Sequence, residues 1–136
     1  MAMANRMARV AHVRTLQKRL ALACQAQAIN ERDQLRQMAE RIERLRQVYT
    51  PTQADAGGFS IKAMAHQYER LGKALASTAE RQLHADDMVD AAQAAALDAH
   101  RRKRAADELH ARAEVAEAVE AERRRERNAV PRWVEF

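Results

Sequence analysis

A chain of 136 residues with only 4% aromatic side chains, Gly 3 and Pro 2 has the length of one domain but not the contents of a globular core. Alanine supplies 31 of its residues, so the 47% hydrophobic fraction overstates the bulky side chain there is to bury. Lys+Arg 24 against Asp+Glu 19 makes the chain basic, with a formal net charge of +5, and nowhere does it approach the ~20 consecutive apolar residues that span a bilayer.

Alanine, arginine, glutamate, glutamine and leucine favour long helices over sheet. The expected fold class is all-α: two long helices forming an antiparallel coiled-coil hairpin, the second longer than the first. The first helix is expected over residues 3–49. Met3, Met7, Val10, Ala21, Cys24, Ala28, Leu35, Met38, Ile42, Leu45 and Tyr49 share one heptad phase with steps of three and four, which is an a/d seam. Arg14, Gln17 and Glu31 fall on the same phase, and Val13, Leu16 and Leu20 lie one position to the side. The seam is best between Leu35 and Tyr49. Cys24 on this seam reads as a small buried thiol.

Helix breakers gather at 50–59. Pro51 lacks an N–H and pushes Thr50 out of the α region, and Gly57 and Gly58 offer a turn. Ser60 is a good N-cap, with Phe59 and Met64 at the positions of a hydrophobic staple. The second helix is expected over 60–128, and a tail occupies 129–136. Ile61, Met64, Tyr68, Leu71 and Leu75 form a matching seam, and a short connection makes the helices antiparallel neighbours. Farther on, Leu83, Met88, Leu97 and Leu109 are separated by alanine-rich turns, so bulky burial should concentrate near the hinge, in Leu35, Ile42, Leu45, Ile61, Leu71 and Leu75. The arms work out at roughly 70 Å and 100 Å. If pairing starts at the hinge, Met3 lies near residue 107 and roughly 20 residues overhang.

Charge is uneven. Residues 1–49 carry ten Arg/Lys against four Asp/Glu, residues 86–98 carry only acids, and Arg101-Arg102-Lys103-Arg104 follows. The hairpin expectation puts this cluster beside Arg6 and Arg9 at the open end. Nucleic acid is one standard partner of a basic chain. Acids interrupt the basic residues, however, no aromatic is interleaved for stacking, and no nucleic-acid-binding motif is present.

No residues are placed for catalysis. Gly57-Gly58 lacks the strand and lysine of a phosphate loop. His12, His66, His84, His100 and His110 are scattered, and His84 with Asp86, Asp87 and Asp90 is the nearest approach to a metal set, although Asp86 and Asp87 point in different directions from His84 on a helix. The expectation is no enzyme, no cofactor and no metal. The single cysteine excludes an internal disulfide, and with no apolar core of signal-peptide length at the N-terminus the expected compartment is the cytoplasm.

Three segments carry a family likeness: Arg14-Thr15-Leu16-Gln17-Lys18-Arg19 in a basic first helix; the restart from Ser60 to Leu75, with Tyr68, Leu71 and Leu75 spaced Tyr-x-x-Leu-x-x-x-Leu; and the run from Ala99 to Arg127 ending in a Glu/Arg tail. In these, over nearly its full length, the chain resembles the FliJ family of flagellar export proteins and, more broadly, the coiled-coil stalk proteins of type III secretion systems. It departs from them in alanine content, shorter length and the ending Pro131-Arg132-Trp133-Val134-Glu135-Phe136. The resemblance implies a non-catalytic stalk, cytoplasmic and peripheral to the inner-membrane export apparatus. Its open end would enter a hexameric export ATPase and its surface would engage the export gate membrane protein and export chaperones. Carried onto this sequence, the ATPase contact falls to Arg6, Arg9, Arg14, Arg101, Arg102, Arg104, Arg123, Arg124 and Arg125, and the gate contact to Tyr68, Leu71 and Leu75. The alternatives are a basic coiled coil associated with nucleic acid and a homodimeric scaffold.

Overall fold

The computed structural model describes residues 2–50 and 58–129; the expected hinge residues 51–57 and the tail 130–136 lie outside them. The chain is an all-α antiparallel coiled-coil hairpin of α1 (Ala2–Val48) and the longer α2 (Gly58–Asn128). Among the described residues there is no strand, no cis peptide and no positive φ.

Each helix end follows from its sequence. At the close of α1 the Tyr49 N–H donates to the Leu45 carbonyl (3.2 Å) and the Thr50 N–H to the Gln47 carbonyl (3.3 Å). The bonding thus tightens from a four-residue to a three-residue step just before Pro51, which disfavours helical angles at Thr50. The Thr50 hydroxyl donates back to the Arg46 carbonyl at 3.4 Å, and Arg46 places a cation at the negative end of the helix dipole. Arg125 and Arg127 do the same for α2, where the Ala129 N–H adds a last bond to the Arg125 carbonyl at 2.9 Å. The start of α2 departs from the sequence expectation. Gly58 is already helical without a positive φ, so it opens the helix rather than turning the chain, and Ser60 lies inside α2 instead of capping it. The staple expected of Phe59 and the turn expected of Gly57 fall outside the described side chains.

Burial on α2 follows one heptad phase. Ile61, Met64, Tyr68, Leu71, Leu75, Thr78, Gln82, Ala85, Val89, Ala92, Ala96, Ala99, Lys103, Ala106, His110, Ala113, Glu117 and Glu120 are buried or half-buried in alternating steps of three and four, and Gly72, His100 and Ala121, each next to one of them, are half-buried as well. Small and polar residues therefore fill the seam beyond Leu75. Leu83, Met88, Leu97 and Leu109 are exposed, outside or beside it.

On α1 the expected seam is half right. Met7, Ala21, Ala28, Leu35 and Ile42 lie on it, half-buried, but its other row is Ala4, Ala11, Lys18, Gln25, Arg32, Ala39 and Arg46. The expected Met3, Val10, Cys24, Met38 and Leu45 stand one position aside, exposed, and Tyr49 is exposed beyond the helix end. In unit 1 the physical reason lies in the opposing helix. A seam of alanines leaves room at its centre for small side chains and for the stems of long polar ones, while bulky side chains fit better at its flank.

By its contacts the chain divides into two units. Unit 2, residues 23–94, holds the most buried large side chain, Val89, together with Ala85 and Thr78, whose hydroxyl is satisfied by the Ala74 carbonyl at 2.8 Å. Leu35, Ile42, Ile61, Leu71 and Leu75 are only half-buried and Leu45 is exposed, so burial does not peak beside the hinge as expected. The Arg46 guanidinium lies over the Tyr68 ring, 4.3 Å from its centroid, and against Gly72. The end of α1 is therefore level with residues near 68–72, and the first turns of α2 run past it.

Unit 1 comprises residues up to Leu22 and those from Ala95 onward. Its buried described residues are all alanines: Ala4, Ala11, Ala96, Ala106 and Ala113. Its register is fixed by the Ala4 N–H donating to a Glu117 carboxylate oxygen at 2.9 Å. The expected pairing of Met3 with residue 107 is thus displaced by about one and a half heptads, because that arithmetic began the pairing at the hinge. By this count Ala2 is level with Val119, so the stretch of α2 that continues past the first turn of α1 is 120–128, not the roughly 20 residues expected.

Candidate interaction surfaces

The nine arginines assigned to a partner contact all lie in unit 1. Counting from the Ala4–Glu117 pair, residues 101–104 come level with residues 17–20, beside Lys18 and Arg19, and Arg112 is the residue level with Arg9. The expected gathering of Arg101–Arg104 beside Arg6 and Arg9 is therefore corrected: positive charge is spread along unit 1 rather than collected at its end.

Local carboxylates hold part of this charge. Arg102 Nε meets Asp98 at 3.0 Å, Arg124 meets Glu120 at 3.7 Å, Arg125 meets Glu122 at 3.3 Å and Arg127 meets Glu120 at 3.3 Å. Arg14 donates to Gln17 Oε1 at 2.8 Å. Helical spacing of three or four residues makes most of these pairs, and exposed pairs of that kind contribute ~0.3–0.5 kcal/mol each. They steady the helix surface and leave the guanidinium faces open to solvent. Arg6, Arg9, Arg101, Arg104 and Arg123 are exposed.

Within the seam, long polar side chains turn their heads outward. Lys103 reaches Asp107 at 2.7 Å and His110 Nε2 reaches Glu114 at 3.0 Å, while their stems lie between the helices. Glu117 serves as a helix cap supplied from the other helix, taking the role a Ser or Asp usually plays within its own chain segment. Its carboxyl is held below the ordinary value, first by a hydrogen bond with the amino-terminal ammonium and then by the Ala4 N–H. Sequence reading missed this residue, although its place on the step 110, 113, 117 made a seam carboxylate legible.

Tyr68, Leu71 and Leu75, assigned to the gate, are half-buried on the seam of unit 2, with one face of the Tyr68 ring taken by Arg46. None of the three is fully covered. Nearby, Glu31, Leu35, Glu80, Arg81, His84, Ala85 and Met88 line an open groove of about 430 Å³. His84 does not join Asp86, Asp87 and Asp90 there, and no group of three potential metal ligands occurs among the described residues. Cys24 is exposed rather than buried in the seam. No described helix is long and apolar enough to cross a membrane. The chain matches no protein-family model, no curated protein and no solved structure.

Proposed function

We propose that this chain is a non-catalytic stalk and adaptor of a flagellar or type III protein export apparatus, cytoplasmic and peripheral to the inner membrane. In this reading the arginine-bearing surface of unit 1 enters the hexameric export ATPase, the early part of α2 meets the export gate, and export chaperones use the remaining helical surface. The observation that carries the reading is the stretch 120–128, which continues past the first turn of α1 with exposed Arg123, Arg124 and Arg125. A shaft that moves relative to a ring needs dispersed, hydrated contacts, and arginine supplies them because its planar fork stays charged and bonds carboxylates and carbonyls in two directions.

The test is a pull-down with the cognate export ATPase over a salt series. Arg123, Arg124 and Arg125 are changed together to Gln; Glu at these positions would face Glu120 and Glu122 and add a repulsion of its own. Binding should fall with salt, since exposed charges are screened over ~8–10 Å near physiological ionic strength. It should be lost in the triple variant with helicity unchanged. If the variant is retained as well as wild type, the arginines of 120–128 are a solvated helix end and the contact assignment fails.

A further inference from the structure

We propose that one broad face of unit 1 is a docking surface for an anionic lipid bilayer, on which this helix pair lies flat. The seam places Ala4, Ala11 and Lys18 at one heptad position of α1 and Met7, Arg14 and Ala21 at the other. In an antiparallel pair, the positions just before the first row on each helix border the same side of the seam, and the positions four residues earlier again project from that side. In unit 1 they bring together Met3, Val10, Val13, Leu20, Leu109 and Val119, all exposed. Ala105, Ala116 and Gln17 fill the gaps, Arg6, Arg102, Arg112 and Arg123 supply the charge, and Glu126 falls at the far end of the face, one heptad beyond Val119. From Met3 to Leu20 and from Arg102 to Arg123 no Asp or Glu occupies this face. Asp98 lies at its edge and is paired with Arg102 at 3.0 Å. The opposite side of the same seam carries Asp107 and Glu114.

Charge complementarity selects the occupant. Residues 2–30 contain no acid at all, so a second copy presenting the same face would bring arginines against arginines. An anionic headgroup layer meets the charge and accepts the apolar side chains between the arginines, as it does for basic amphipathic helices lying in an interface. The arrangement suits a flat surface better than a docked helix. A helix needs an unbroken apolar groove, and here Gln17 and Arg102 interrupt the positions beside the seam. The apolar residues are dispersed over about 30 Å of helix length, with Arg6 between Met3 and Val10 and Arg112 between Leu109 and Val119, which lets these guanidinium groups stay at headgroup level. This face shares Arg6, Arg102 and Arg123 with the stalk reading, but its valines, leucines and Met3 are residues that reading does not need, so substitutions confined to them test it separately.

Flotation of the full chain with vesicles of phosphatidylcholine containing phosphatidylglycerol, against pure phosphatidylcholine, tests the inference. The chain should float with the anionic vesicles alone, and a Val13→Ser, Leu20→Ser, Val119→Ser variant should partition at least about tenfold less. These side chains are exposed, so circular dichroism should show unchanged helicity. If the variant floats like wild type, charge alone accounts for binding and the docking face is refuted. Failure to float with anionic vesicles at low salt refutes it too, as does retention on an immobilised acidic amphipathic peptide without any vesicle partition.

Discussion

Replacing Val89 by alanine should destabilise the hairpin more than replacing the larger Leu83, two heptad positions that differ in which way they face. Val89 is 2% exposed and Leu83 68%. Val89→Ala removes two interior carbons, about 1.6 kcal/mol at ~0.8 kcal/mol per buried methylene, with a further cost where the space does not close. The better helix propensity of alanine offsets ~0.5 kcal/mol of this, leaving about 1–2 kcal/mol. Leu83→Ala removes three carbons, of which the structure covers about a third, so its cost is ~0.8 kcal/mol at most before alanine's propensity gain reduces it. At about 3–5 °C per kcal/mol for a chain of this size, Val89→Ala should lower the melting temperature by about 3–10 °C and Leu83→Ala by no more than about 3 °C. Thermal melts followed by far-ultraviolet circular dichroism in matched buffer measure both. An equal or larger loss in Leu83→Ala would refute the placement of the seam, because three carbons outweigh two only if Leu83 is inside.

Leu45→Ala and Leu109→Ala, both at half-exposed flank positions, should shift the melting temperature by small and similar amounts, in contrast to the hinge-weighted order the sequence suggests. Gly72→Ala should raise it by about 3–5 °C, because alanine gains ~1 kcal/mol over glycine inside a helix and its methyl would meet the Arg46 guanidinium at an ordinary 3.6 Å. Arg46→Gln should speed hydrogen exchange in the last turns of α1 and around Tyr68 while leaving the Ala4 region unchanged, because it removes a cation–π contact confined to unit 2. Glu117→Gln should flatten the acid limb of the stability profile: a carboxyl held below its ordinary 4.5 contributes stability above that pH and loses it as pH falls through the lowered folded value, and glutamine cannot titrate.

What the sequence made legible was whatever depends on neighbours in the chain. Pro51 ends α1, the alanine and arginine content makes both helices long, and the 3.5-residue repeat of Ile61, Met64, Tyr68, Leu71 and Leu75 runs on without a break through Glu120. What escaped was whatever depends on the opposite helix. On α1 the bulky set at Met3, Val10, Met38 and Leu45 and the small or polar set at Ala4, Ala11, Lys18 and Ala39 are both seven-residue repeats one position apart, and apolarity alone chooses the first. In unit 1 the choice reverses because α2 offers Ala96, Ala106 and Ala113 rather than leucines to pack against, and at the end of α1 the seam position beside Leu45 is taken by Arg46, whose guanidinium covers the Tyr68 ring. Register escaped for a similar reason. The distance from hinge to first contact is set by where Arg46 meets Tyr68 and Gly72, and no local signal in either segment states that pairing.

A seam filled by alanine also decides where the functional surfaces can be. Each alanine buries little area, so unit 1 gains its cohesion from many small contacts and from the Glu117 cap, while its larger apolar side chains remain available outside. A leucine seam would have consumed those side chains and left a uniformly charged exterior. Here the exterior is divided instead: one side combines valine, leucine and methionine with arginine and carries no acid between Met3 and Leu20 or between Arg102 and Arg123, and the other carries Asp107 and Glu114. The basic surplus read from the sequence is therefore not one property but two, an arginine-bearing helix end suited to a polar channel and an arginine-studded apolar face suited to an anionic layer. Salt should weaken both, but only the second depends on uncharged side chains, which is why serine substitutions at Val13, Leu20 and Val119 separate them where charge reversals would not.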